Sequence, residues 1–195
     1  MMTQTKSRLY TPEEYLELEA NAEYKSEYRD GAIVPMAGGT TNHNELTLNL
    51  AVALKLALKG QAYKIYLGDV RLWIPQYRQH TYPDVMVIQG QPTYADASRT
   101  TVMNPIAIAE VLSQSTQNYD QGDKFRYYRS IPEMQEYILI NQTQHHVMQY
   151  TKQETGQWLL TEYQGESAVL ALGAIAFEIG LADLYDGVDF SAVDD

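Results

Sequence analysis

The chain has 195 residues, 45% of them hydrophobic and 20% charged, enough apolar material to bury one sizeable core, and its formal net charge is −11. It has no cysteine, which excludes disulfides, thiol catalysis and a zinc–thiolate centre and leads us to expect a reducing, cytoplasmic setting. The acid is uneven: basic against acidic side chains number six to eight in residues 1–60, seven to six in 61–130 and one to eleven in 131–195, so no segment is the basic stripe of a tight nonspecific DNA binder.

Met1 to Arg8 is polar and lacks the apolar run of a signal peptide, and the longest charge-free apolar stretch, Ala168 to Phe177, is too short to cross a bilayer. No membrane partner is expected. Thr11-Pro12-Glu13-Glu14 predicts a short helix with Thr11 as N-cap, Pro12 in the first turn and Glu14 closing a capping box. Ser26–Arg29 and Ala32–Val34 flank Asp30-Gly31, a two-residue hairpin turn. From Asn42 to Lys59, Leu46, Leu50, Leu54 and Leu58 recur every four residues and Gly60 stops the pattern, which predicts a long helix.

Strand-like runs follow at Tyr63–Leu67, Val70–Ile74, Asp84–Ile88 and Ile106–Leu112, with a polar connection from Gln89 to Pro105. A second helix is predicted from Asn118 or Asp120 to Arg129, then a strand at Glu136–Ile140 and a hairpin from 144–151 and 157–163. One domain over 1–195 is expected, with a helix and hairpin in residues 1–40 and an acidic tail at 186–195 that frays.

Two apolar runs each carry one carboxylate that a strand pattern would otherwise exclude. Asp84 opens the first and Glu110 stands near the end of the second. If the runs pair antiparallel, the start of one lies beside the end of the other and the two acids converge. A hard cation such as Mg²⁺ is held by one or two carboxylates with waters and phosphates, so two convergent acids are the minimum for such a centre. The same spacing also suits two solvated polar residues at the mouth of a sheet.

The order Pro83-Asp84, then Glu110-Val111-Leu112, resembles the PD-(D/E)XK nuclease signature, with Leu112 where that pattern has lysine. Tyr28-Arg29-Asp30-Gly31, Glu110 through Thr116 continuing to Asp120, Lys124 and Tyr128, and Pro132 through Leu139 are similar to the Uma-type restriction endonuclease family. The opening Thr11–Tyr15 and Gly68–Leu72 agree, so the likeness covers nearly the whole chain. It implies an α/β, restriction-endonuclease-like fold. An αβββαβ core would carry a mixed central sheet flanked by helices, with an N-terminal hairpin and extra C-terminal strands as elaborations. It also implies a Mg²⁺- or Mn²⁺-dependent endonuclease acting on DNA, with Asp84, Glu110 and the Val111 carbonyl as ligands.

A lysine at 112 would share a strand face with Glu110, and leucine cannot replace it. The resemblance offers Lys124, from the following helix, as the cation of the site; the bland reading pairs it with Asp120 on a surface helix. Glu27 stands where the family pattern has an acid and is a further ligand or water-positioning candidate, whereas Asp30 is explained by its turn. His43, at the start of the long helix, is a candidate for contacting phosphate or orienting a ligand, against an ordinary cap-region role. Asp69 could reach the site from the next strand, or only pair with Arg71 or end a turn. His145 and His146 face opposite sides of a strand and make no joint metal site. Ser113, Ser115 and Thr116 suggest a turn into a helix cap, and Tyr127 and Tyr128 with Lys124, Arg126 and Arg129 form the most nucleic-acid-like cluster, although a core or dimer surface explains the tyrosines more simply.

The leading reading is therefore a metal-dependent endodeoxyribonuclease, a homodimer because two symmetric sites cut two strands. The alternative is a catalytically decayed member of the fold acting as a binding or regulatory module.

Overall fold

A computed structural model describes residues 8–113 and 117–191. Helix α1 (Pro12–Glu19) starts in the expected capping box: the Glu14 N–H donates to Thr11 Oγ1 at 3.2 Å, and the Thr11 N–H donates to the Glu14 carboxylate at 2.9 Å. Strands β1 (Ser26–Arg29) and β2 (Ala32–Pro35) form a hairpin whose turn puts Asp30 at φ 43° and Gly31 at φ 104°, the left-handed conformation that an Asp-Gly pair accepts. Helix α2 (Thr41–Ala57) is N-capped by Thr40, whose Oγ1 accepts from the His43 N–H at 3.1 Å.

The central sheet has six strands. Taken in spatial order they are β11 (Trp158–Gln164), β10 (His146–Lys152), β9 (Glu136–Asn141), β8 (Ala107–Leu112), β6 (Val85–Gln89) and β3 (Tyr63–Leu67). The sheet is mixed, because β8 and β9 run parallel while every other neighbouring pair is antiparallel. Alternation along β8 divides its side chains between two cores. Ala107, Ala109 and Val111 pack with Val85 and Val87 against Leu46, Leu50 and Leu54 of α2, the every-fourth-residue stripe seen in the sequence. Ile108 and Leu112 face the other way, into a core with Met86, Leu72, Ile74, Tyr128 and Tyr137. Glu110, between them in sequence, belongs to that second face.

The N-terminal hairpin is not a free elaboration. With β5 (Gln79–Thr81), β4 (Arg71–Ile74) and β7 (Thr101–Val102) it forms a second, five-stranded sheet in the order β2-β1-β5-β4-β7. The run at 70–74, expected among the core strands, lies in this second sheet, which leaves β3, β6 and β8 as the three core strands after α2. Strands β5 and β7 have three and two residues, too short to show a period, and exist only through pairings such as Tyr28↔His80, Trp73↔His80 and Leu72↔Val102.

The second predicted helix is three segments: α3 (Gln117–Tyr119), a π-helical stretch (Asp120–Lys124) and α4 (Phe125–Tyr128). After the β10–β11 hairpin, β12 (Val169–Leu172) and β13 (Phe177–Gly180) pair with each other and lead into α5 (Leu181–Leu184). The acidic end, expected to fray from 186, is tied to α2 as far as Asp189: Asn42 donates to the Asp189 carbonyl at 2.8 Å and accepts from its N–H at 3.0 Å. No helix among the described residues is long and apolar enough to cross a membrane.

Candidate active site

The β6–β8 ladder brings Asp84 and Glu110 together. Its last pair is Val85↔Ala109, so the next position in the register sets Asp84 against Glu110, where the ladder stops. There Asp84 Oδ2 accepts the N–H of Val111 at 2.8 Å, and Glu110 Oε2 stands 3.4 Å from the N–H of Asp84. Amide and carbonyl of one residue point to the same side of a strand, so the Val111 carbonyl also opens toward Asp84.

Three further elements close round this pair. His43, in the first turn of α2, places Nε2 3.0 Å from Asp84 Oδ2. Lys124, in the π-helical stretch, lies 3.0 Å from Glu110 Oε1 and 3.0 Å from Asp120 Oδ1, with Glu27 Oε1 at 3.9 Å. Tyr128 donates to Glu110 Oε1 at 2.6 Å, which occupies that oxygen and leaves Oε2 toward Asp84. Glu27 is fixed from β1, accepting from Thr81 Oγ1 on one oxygen and from Arg29 Nε at 2.9 Å on the other. A π-helix widens the turn by one residue, and such bulges are frequent where a side chain must be re-aimed. Here it lets Lys124 reach a strand that Leu112, packed in the second core, cannot serve.

These residues line a cleft of about 620 Å³, walled on the far side by the segment Val34–Thr40 and by Gln142. Its floor is crowded with charge. Glu27, Glu110 and Asp120 surround the Lys124 ammonium, Asp84 pairs with His43 and Arg29 with Glu27, so four acids share the cleft with one lysine and one arginine. Burial pushes the Glu110 carboxyl up to about 8; Lys124 opposes that shift, and Asp84 and Asp120 add to it. Burial also works against the charge on Asp84, but the bond and charge of His43, the Val111 N–H and Lys124 hold its carboxyl below the usual range. Lys124 is raised well above its ordinary value, burial being outweighed by Glu110, Asp120 and Glu27. His43 is raised too, desolvation being overcome by Asp84.

The donor set suits a hard divalent cation. Carboxylate and carbonyl oxygens converge where negative charge is in excess, and a Glu110 that resists ionisation would be relieved by a cation beside it. No group of three or more His, Cys, Asp and Glu among the described residues forms a ready cage, so water and phosphate oxygens would have to complete the shell, as Mg²⁺ prefers.

The family model described as "Uma2: Putative restriction endonuclease" matches residues 12–182. The chain belongs to this family. Two Synechocystis sp. proteins are similar over nearly their full length: the uncharacterized sll1609 is 46% identical over 86% of this chain and 95% of its own, and the uncharacterized slr1290 is 34% identical over 92% and 93%. The fold matches a crystal structure described as "a putative nuclease belonging to DUF820" from Anabaena variabilis, with a TM-score of 0.74 at 18% identity, covering 90% of this chain and 97% of that one. The Uma2 fold of this chain is thus restriction-endonuclease-like, as its motifs imply.

Of the residues singled out in the sequence, Asp84, Glu110, Val111, Lys124, Glu27 and His43 all line this one cleft. Asp69 does not: it sits in an exposed turn, paired with Lys25 at 2.5 Å. His146 lies 3.5 Å from Glu162 and His145 packs on Tyr185, away from the cleft and from each other's roles. Ser113 borders the cleft, whereas Ser115 and Thr116 lie outside the described residues. Tyr128 is buried core rather than surface cluster. Asp120 was read from sequence only as a partner of Lys124, a pair the structure forms at 3.0 Å, and Tyr128 only as one of a tyrosine cluster; the hold of Tyr128 on Glu110 was missed. Thr81 carried no signal at all, since its tie to Glu27 spans 54 residues.

Proposed function

We propose that the chain is a divalent-metal-dependent endonuclease that hydrolyses phosphodiester bonds of DNA, using Mg²⁺ or Mn²⁺ in the Asp84–Glu110 cleft. The observation that carries this reading is a buried excess of carboxylates gathered round one lysine. The chemistry a bound Mg²⁺ or Mn²⁺ supplies is polarisation of the phosphate and a more acidic attacking water. Asp84, Glu110 and the Val111 carbonyl would hold it. Lys124 has its ammonium 3.0 Å from Glu110 and would donate to the negative charge that develops on phosphate oxygens, the task the fold's strand lysine would otherwise perform. His43 holds Asp84 in one orientation and Tyr128 does the same for Glu110. Glu27 keeps Arg29 and Lys124 in place.

A homodimer acting in the cytoplasm is the simplest arrangement for cutting both strands, and light scattering at micromolar concentration tests it. A binding module without catalysis is the second reading. It is favoured by Leu112 and by the two acids that already engage Lys124. Incubation with supercoiled plasmid separates the two. Linear or nicked product in Mg²⁺ or Mn²⁺, abolished by chelator, supports the nuclease; intact plasmid under every divalent ion supports the module.

A further inference from the structure

The cleft floor cannot meet the substrate alone. Lys124 is almost wholly enclosed by acids and His43 is committed to Asp84. At the mouth stands Arg29, its side chain 33% exposed. Glu27 Oε2 takes its Nε at 2.9 Å and one Nη2 donor at 2.5 Å, so the edge formed by Nη1 and the other Nη2 hydrogen is left for the cleft. The guanidinium carbon lies over the Tyr119 ring, 3.8 Å from its centre.

Further rings adjoin Tyr119, edge-on and tilted. Tyr119 meets Tyr127 at 6.5 Å between ring centres, Tyr127 meets Tyr77 at 4.8 Å, and the exposed Arg126 caps both outer rings at 5.2 and 5.6 Å. Tyr77, Tyr119 and Tyr127 are only half-buried. Arg126 also shares an ion pair with Asp123 at 3.1 Å, but both partners are at least half exposed, and such a pair exchanges readily for a phosphate. In a chain of net charge −11, three adjoining tyrosine rings with a guanidinium at either end are an exception to the general surface chemistry.

We propose that Arg29, Tyr119, Tyr127, Tyr77 and Arg126 form a track for one unpaired DNA strand leaving the active-site cleft, with the arginines on its phosphates and the tyrosines against its bases. This rests on the nuclease reading for the role of the cleft. Ring faces can meet bases only where those are unstacked, so the track selects a single strand over a closed duplex. It also places the cations beside the acid floor rather than within it, which answers how an acidic protein would hold a polyanion.

The test is fluorescence anisotropy with labelled (dT)₁₅ and a 15-base-pair blunt duplex in Ca²⁺, on the whole chain. Tyr127→Ala should weaken (dT)₁₅ binding by about tenfold, within the range for one lost base stack, with a much smaller change on the duplex. Arg126→Glu, at an exposed position that no folding defect should reach, should weaken it similarly and lower the salt slope by about one. Lys59→Glu makes the same charge change at the opposite end of α2 from His43 and should leave both unchanged. The proposal is overturned if wild type does not bind (dT)₁₅, if both track variants bind it like wild type, or if duplex and single strand weaken equally. A protein that binds (dT)₁₅ through the track yet never cuts plasmid keeps this proposal and loses the nuclease reading; one that cuts plasmid with unaltered binding in the track variants does the reverse.

Discussion

The two faces of the central sheet are built from the same strands and do opposite things. On the α2 side, Leu46, Leu50 and Leu54 meet Val85, Val87, Ala109 and Val111 in an apolar core. Burying each such leucine contributes about 1.5–3 kcal/mol. On the other side, Ile108 and Leu112 flank Glu110, and the packing gives way to four carboxylates, a lysine and a tyrosine hydroxyl. A buried ion cluster adds little net stability compared with apolar packing. The first face therefore holds the second in place, and the difference shows where stability has been exchanged for chemistry.

The largest effects should come from the charged face. Asp84→Asn and Glu110→Gln keep shape but remove ligand charge, and each should lower Mg²⁺-dependent plasmid cleavage by at least about 10³-fold with an unchanged circular-dichroism spectrum. Cleavage at the wild-type rate in either variant would show that the activity lies elsewhere. Lys124→Met should cost on the order of 10²–10³ in rate, the usual loss for one electrostatic contact to developing charge. If it cuts normally, Lys124 is only a structural partner of Asp120 and Glu110.

The apolar face should respond in the other coordinate. Leu50→Ala, at a side chain 1% exposed, should lower unfolding free energy by about 2–5 kcal/mol in urea melts while leaving the metal requirement as it was. A graded effect, spread over pH, belongs to His80 in the second sheet. It is buried between Tyr15 and Trp73 with Nδ1 unpartnered, and burial followed by the charge of Arg71 lowers it to about 3. The unfolded chain takes up that proton near 6.5 and the folded one does not, so stability should fall progressively as pH drops from about 6.5 toward 3. His80→Phe should flatten that part of a melting-temperature profile; an unchanged slope would assign the acid sensitivity to other groups.

Much of the scaffold was legible from sequence because each of its signals is local. The Thr11–Glu14 box, the Asp30-Gly31 turn and the leucines of α2 each fit within a few residues. Asp84 and Glu110 were legible as a converging pair because antiparallel register follows from strand ends. What surrounds them was not. The π-helical turn that aims Lys124 has no periodicity of its own, and the contact of Thr81 with Glu27 depends on β5, whose three residues are a strand only once β1 and β4 lie beside them. Of the readings open for Asp69, the turn is the one that holds, because β4 leaves the central sheet and the turn before it goes with it.

The central claim is that Asp84 and Glu110 together hold one divalent cation, and calorimetric titration of Mn²⁺ reads this without any substrate. The account predicts one Mn²⁺ site per chain in the wild type, lost in both Asp84→Asn and Glu110→Gln while their melting transitions remain cooperative. Equal Mn²⁺ binding by wild type and both variants would contradict it.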